Sequence, residues 1–180
     1  MKKNAKNKKK IVLMGLDAAG KSSILLSLKN DTRLSSYCAL NPTLEVHREI
    51  IEDTENEFYI FDFGGQRNLI DSYLQRLDEL LAEVDKIIFI IDLNDVDRHL
   101  LAIDYLKQLM DHLMTTEQTS VAVSVFFHKY DKSLPAGELA RLDASAQELV
   151  DQISSISPPE MHVEFFKTSI FTVFQKTPMT

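Results

Sequence analysis

The chain has 180 residues, 44% hydrophobic and 26% charged, enough for one domain with a full core and too apolar for global disorder. Its formal charge is −7, but residues 1–10 hold six lysines and no acid, so residues 11–180, with 14 basic and 27 acidic side chains, carry −13. An acidic body with a short basic arm lacks the basic clusters of a nucleic-acid binder, and the single cysteine, Cys38, excludes an internal disulfide and suits a reducing compartment.

The first nine residues read as a flexible basic arm, and residues 10–180 as one domain. The apolar stretch after the lysines is too short for a signal-peptide core, and no run approaches the ~18 apolar residues of a membrane span. Residue 2 is lysine rather than glycine, and the terminal TPMT is no prenylation box. A cytoplasmic protein is expected, at most touching a membrane face through Lys2–Lys10.

In chain order, Ile11–Met14 reads as a buried strand. It runs into Gly15-Leu16-Asp17-Ala18-Ala19-Gly20-Lys21-Ser22, which fits G-x-x-x-x-G-K-S/T in full. The glycines let backbone N–H groups close around phosphate oxygens, and a helix over Ser22–Lys29 points its positive end at them. Lys21 then reaches the β- and γ-phosphates, and the Ser22 hydroxyl suits Mg²⁺. Such a loop alone leaves ATPases, kinases and GTPases open.

Leu44–Ile51 and Phe58–Phe61 alternate around EDTEN and read as an antiparallel hairpin. Its second strand ends in Asp62-Phe63-Gly64-Gly65-Gln66. An acid there can hold Mg²⁺ through water, a glycine N–H can bond a γ-phosphate, and a glutamine can orient an attacking water. Leu69, Tyr73, Leu77, Leu80 and Leu81 follow on a helix, with Leu69 and Tyr73 as candidates for an effector patch. Ile87–Ile91 is the next buried strand. Leu100, Ile103, Leu106, Met110 and Leu113 then mark the core face of a helix.

Val121–Phe127 is a further strand, and His128-Lys129-Tyr130-Asp131 follows it. A carboxylate there can accept from both the ring N–H and the exocyclic amine of guanine, a pair of donors that adenine lacks. A good bidentate contact of this kind discriminates by roughly 1–3 kcal/mol. Leu139, Leu142, Ala146, Leu149, Ile153 and Ile156 form another helical stripe. Val163–Phe166 reads as the last buried parallel strand, and Lys167-Thr168-Ser169-Ile170 comes after it. The sum is an α/β fold: a mostly parallel six-stranded sheet with one antiparallel edge strand and helices on both faces. Ligands in such sheets bind at the carboxyl ends of the strands, where these loops lie.

GLDAAGKS, Pro42-Thr43, DFGGQ, HKYD and TSI, in this order, resemble the five nucleotide motifs of the Ras-like small GTPases, with their P-loop NTPase fold. GLDAAGKS and the double glycine are similar to the Arf and Sar proteins. HKYD, TSI and the spacing are nearer the Rag/Gtr proteins. The resemblance implies GTP/GDP and Mg²⁺ as ligands. It places Asp17, Ala18, Ala19, Gly20, Lys21, Ser22 and Ser23 at the phosphates, and Ser22, Thr43 and (through water) Asp62 at Mg²⁺. Thr43 and the Gly65 N–H would sense the γ-phosphate, and Gln66, with Lys21 and Thr43, would serve hydrolysis. His128, Lys129 and Asp131 would grip the base, Ser169 would brace Asp131, and the Ile170 N–H would face the guanine carbonyl.

Departures from the family pattern refine this. His128 stands where most relatives have asparagine, and its single N–H on a neutral imidazole needs a neighbour to fix the tautomer. Asp17 stands where many relatives have glycine, close to the path of Gln66, and implies slow unaided hydrolysis. No arginine lies within the five residues before Thr43, Arg33 is the nearest, and Arg67 reads as solvated. A partner supplying an arginine is therefore expected, beside effectors. Rag/Gtr proteins carry a C-terminal roadblock-type domain, and this sequence ends at Thr180 without one, which leaves separate roadblock- or longin-type proteins as candidate partners. Phe171 and Phe174 are a further candidate partner surface. The alternatives to a GTP-hydrolysing switch are an Arf-like membrane-recruited switch and a nearly non-hydrolysing nucleotide-holding scaffold.

Overall fold

The computed structural model describes residues 6–29, 36–37 and 39–170. Its strands are β1 (Asn7–Met14), β2 (Val46–Glu52), β3 (Asn56–Phe63), β4 (Lys86–Asp92), β5 (Ala122–His128) and β6 (Val163–Lys167). Its helices are α1 (Lys21–Leu28), α2 (Arg67–Leu74), α3 (Leu77–Leu80), α4 (His99–Thr115) and α5 (Ala136–Ile156), with a 3₁₀ turn at Val96–Arg98. The six strands form one sheet in the order β2-β3-β1-β4-β5-β6, and every pairing is parallel except β2 with β3. The expected α/β architecture is therefore present.

Alternation along the strands splits the core in two. On one face Leu13, Ile60, Ile88 and Ile90 pack with Ile24 and Leu25 of α1. On the other, Val12, Met14, Phe63, Phe89, Val125 and Phe127 pack with α2–α5. β4 is buried on both faces, which is why it reads as the unbroken apolar run KIIFIID. No described helix is long and apolar enough to cross a membrane.

Five expectations change, the first being that Leu69–Leu81 lie not on one helix but on α2 and α3, with Leu81 just past the end of α3. β1 begins at Asn7, so Asn7–Lys9, assigned to the flexible arm, pair with β3. Their polar side chains hid the strand, because its outer end lies at the surface and carries no apolar signal. β6 is a part-exposed edge strand rather than a buried one, with Phe166 42% exposed. On α4 Leu106, Met110 and Leu113 are buried as expected, but the buried line begins at His99 and Ala102, and Leu100 is 74% exposed. Each residue turns a helix by about 100°, so a stripe begun one residue late puts its first member in solvent. Tyr73 is buried against Phe63, ring centroids 5.0 Å apart and edge to face, and is no part of an open effector patch. Cys38, Arg33, Phe171 and Phe174 lie outside the described residues.

Candidate functional site

β1 delivers the chain to Gly15, whose φ of 138° lies in the left-handed region; a Cβ there would sit 2.2 Å from the Ile90 carbonyl oxygen. The loop closes at Gly20, the N-cap of α1, and no side chain caps that helix. Its first N–H groups therefore remain for a ligand. Gly20, Lys21, Ser22 and Ser23 line a cleft of about 410 Å³ together with Asp17, Ala18, Thr43, Gly65 and Gln66. The Ala19 side chain belongs to the core cluster with Ile24 and Leu25. Lys21 is 5% exposed, and its Nζ donates to the carbonyls of Gly15 and Leu16 at 3.0 and 2.7 Å. Burial pulls its pKa down to about 8, against the pull of Asp62 and Asp17 in the other direction.

Three oxygens converge on the floor of the cleft. Ser22 Oγ donates to Asp62 Oδ2 at 2.5 Å and lies 3.1 Å from Thr43 Oγ1, which is 3.4 Å from the same carboxylate oxygen. Asp62 is 1% exposed, and its Oδ1 is buried with no hydrogen-bond partner among the described residues. Burial raises the Asp62 pKa, while hydrogen bonds from Ser22 and Thr43 and the charge of Lys21 oppose the rise. A buried carboxylate with an unfilled oxygen beside two hydroxyls is a hard, all-oxygen donor set that fits Mg²⁺.

The two loops from the hairpin are tied to each other and to the phosphate loop. Gly64 N–H donates to Glu45 O, and the Asp17 N–H donates to Gly65 O, each at 2.8 Å. A Cβ on Gly64 would meet Thr43 O at 2.4 Å, and one on Gly65 would meet Asp17 N at 2.2 Å. Close approach on both sides is thus the reason for the double glycine. Gln66 is the N-cap of α2, and its carbonyl accepts from Leu69 and Ile70 N–H, which leaves its side chain on the cleft wall. Tyr73 Oη donates to Glu45 O at 2.6 Å and anchors α2 to the strand of the first loop.

The β5 and β6 loops stand next to this cleft. His128 is 3% exposed; its Nδ1 lies 3.0 Å from Thr168 Oγ1, and its Nε2 faces Gly20, where a Cβ would approach to 2.9 Å. Its ring thus spans the phosphate loop and the β6 loop, and Thr168 is the neighbour on its Nδ1. Burial first and Lys129 second lower its pKa. Backbone bonds from Tyr130 N to Thr168 O and from Thr168 N to Phe127 O join the same two loops. Lys129 Nζ donates to Asp92 Oδ2 at 2.7 Å. Asp131 is exposed, and Ser133 N–H and Oγ both donate to its Oδ1 at 2.8 Å, holding the carboxyl below its usual range. Ser133 thus supplies a brace of the kind expected from Ser169. Ile170 follows β6 and packs on the α1-side core.

Sequence reasoning also passed over Arg98. Its Nη1 donates to Asp17 Oδ1 at 2.6 Å, and it follows directly on the loop after β4, which carried no motif.

Two comparisons with known proteins bear on this arrangement. The solved structure of the Arl6 BBS3 small GTPase from Trypanosoma brucei with bound nucleotide analogue GppNp is similar, with a TM-score of 0.63 and 21% identity over 91% of this chain and 87% of that one. That likeness concerns the fold. The family model of the Gtr1/RagA G protein conserved region matches residues 10–175, from the last β1 lysine past the β6 loop. With a phosphate loop, the two tied loops that flank the hairpin and the β5 and β6 loops at the carboxyl ends of one sheet, the chain belongs to the Gtr1/RagA family of G proteins, small GTPases of the Arf/Rag branch of the Ras superfamily.

Proposed function

We propose that the protein binds GTP and GDP with Mg²⁺, hydrolyses GTP slowly by itself, and is accelerated by a partner. The observation that carries this reading is the meeting of Lys21, Ser22, Thr43, Gly65 and Gln66 around one cleft, with Asp62 bonded to Ser22 beneath it. Lys21 leaves the carbonyls of Gly15 and Leu16 to meet the β- and γ-phosphates, which restore the charge that burial disfavours. Ser22 and Thr43 would hold Mg²⁺, with Asp62 behind a water; the ion's part is to neutralise phosphate charge. The Gln66 amide orients the attacking water. Asp131, ionised and held by Ser133, accepts from the guanine ring N–H and amine.

Thr43 is bonded to Ser22 on one side and packed on Gly64 on the other, so phosphate at Ser22 is felt in both hairpin loops. That coupling supports a switch over a static scaffold, with effectors and an arginine-supplying activator as partners. Roadblock- or longin-type partners, a cytoplasmic location and a weak contact of the basic arm with an anionic membrane face complete the proposal.

The test is labelled nucleotide. GTP and GDP should bind in the presence of Mg²⁺ and resist competition by ATP. Single-turnover GTP hydrolysis should run well below about one per minute, and Gln66→Leu should slow it by about tenfold or more. Equal rates for wild type and Gln66→Leu would leave the scaffold standing instead.

A further inference from the structure

Asp17 places a carboxylate on the wall of a cleft built for phosphate. Unrestrained, that charge and a terminal phosphate would repel each other, and GTP would suffer more than GDP because its additional charge lies on this side. The structure holds the carboxylate elsewhere. Arg98 Nη1 donates to Asp17 Oδ1 at 2.6 Å, and Nη2 reaches the Asp17 carbonyl at 3.4 Å. The guanidinium is itself aimed by Asp95, which takes Nε at 2.6 Å and also pairs with Nη2. Both acids thus share one planar fork, set at the start of α4 by the 3₁₀ turn Val96–Arg98.

Asp17 also borders a second cleft of about 310 Å³, between α2 and α4, which Arg67 and Arg98 line with Gly65. Its carboxylate therefore stands on the wall between the two clefts, and Arg98 binds it from the α4 side. The Asp17 N–H meanwhile donates to Gly65 O, so a displaced Asp17 would disturb the contact that brings the second switch loop to the phosphates.

We propose that Arg98 is a positioning residue that latches the Asp17 carboxylate away from the terminal phosphate and thereby preserves affinity for GTP relative to GDP. The proposal rests on the reading of the cleft as a guanine-nucleotide site. It assigns a task to an arginine outside all five nucleotide motifs, and it accounts for an acid being tolerated in a phosphate loop.

The experiment measures dissociation constants of labelled GDP and of a labelled non-hydrolysable GTP analogue, both with Mg²⁺, on the full chain. Wild type is compared with Arg98→Gln, Asp17→Asn and the double variant. Arg98→Gln should raise the ratio Kd(GTP analogue)/Kd(GDP) by about tenfold. In the Asp17→Asn background the charge needing a latch is gone, so adding Arg98→Gln should leave that ratio where Asp17→Asn alone sets it. Arg98→Lys, a point charge unable to fork between two acids, should give an intermediate ratio. It keeps the proposal open to refutation should Arg98→Gln fail to fold. An Arg98 change that weakens both nucleotides equally, or that shifts the ratio as much with Asn at position 17, overturns the latch while the nucleotide site stands. A wild type that binds neither nucleotide overturns the reading of the site and the latch with it.

Discussion

His128 shows how one buried side chain can couple loops and acquire a pH dependence. Its ring is closed in by Thr168, Gly20, Lys129 and Asp92; burial and Lys129 favour the neutral form, and Asp92 and Thr168 oppose them. The folded pKa lies below the ordinary 6.5, so as pH falls through about 6.5 the unfolded chain takes up a proton that the folded chain resists. Stability in denaturant should therefore fall between pH 7 and pH 5, and His128→Asn should flatten that slope. Gly65 makes a steric prediction at the same scale. A methyl there would meet the Leu16–Asp17 peptide at 2.2 Å, backbone that cannot swing aside. Gly65→Ala should break the Asp17–Gly65 hydrogen bond and cost about 1–3 kcal/mol in equilibrium unfolding. Both residues were singled out in the sequence, but for contacts to a nucleotide. Their contacts to Gly20 and Asp17 could not be read there, because each depends on a loop from a different strand.

At the scale of elements, apolar runs announced β4, β5 and β6, and a periodic stripe announced α5, whose Leu142, Ala146, Leu149 and Ile153 are buried as expected. The lysine-rich end of β1 and the start of the α4 stripe were lost for one reason. A residue at the border of the core carries a weak hydrophobic signal, and burial there is decided by the neighbours. Tyr73 on α2 is the instructive case: its ring belongs to the core, while its hydroxyl ties α2 to Glu45. Tyr73→Phe keeps the edge-to-face packing on Phe63 and loses only that bond. Because Glu45 is exposed, water can replace the hydroxyl at its carbonyl. The loss in unfolding free energy should be small, about 0.5–1 kcal/mol, whereas Tyr73→Ala should cost about 3–5 kcal/mol.

Across the whole molecule, the division between a −13 body and a basic arm is less sharp than the charge count implies. Lys6 pairs with Glu52 at 2.5 Å, Lys8 stands 5.8 Å from the Tyr59 ring centroid, and Lys9 pairs with Asp85 at 2.9 Å. Lys10 Nζ donates to the carbonyls of Leu80 and Ala82 at the end of α3. Four of the six lysines thus have partners within the fold. Deleting residues 2–10 should destabilise the protein by more than about 2 kcal/mol, since it removes strand pairing with β3. By itself the sequence determined the order of the strands and of α1, α4 and α5 along the chain and the five nucleotide motifs, because runs, periods and loop chemistry are local properties. Only the tertiary structure decided that Arg98 meets Asp17 across 81 residues, that His128 closes on Gly20, and that Ser133 braces Asp131. The first of those meetings follows from the pairing of β1 with β4, and the second from β5 lying beyond β4. Neighbours across a sheet are fixed by strand order, which is settled by how whole faces pack and is written in no single segment.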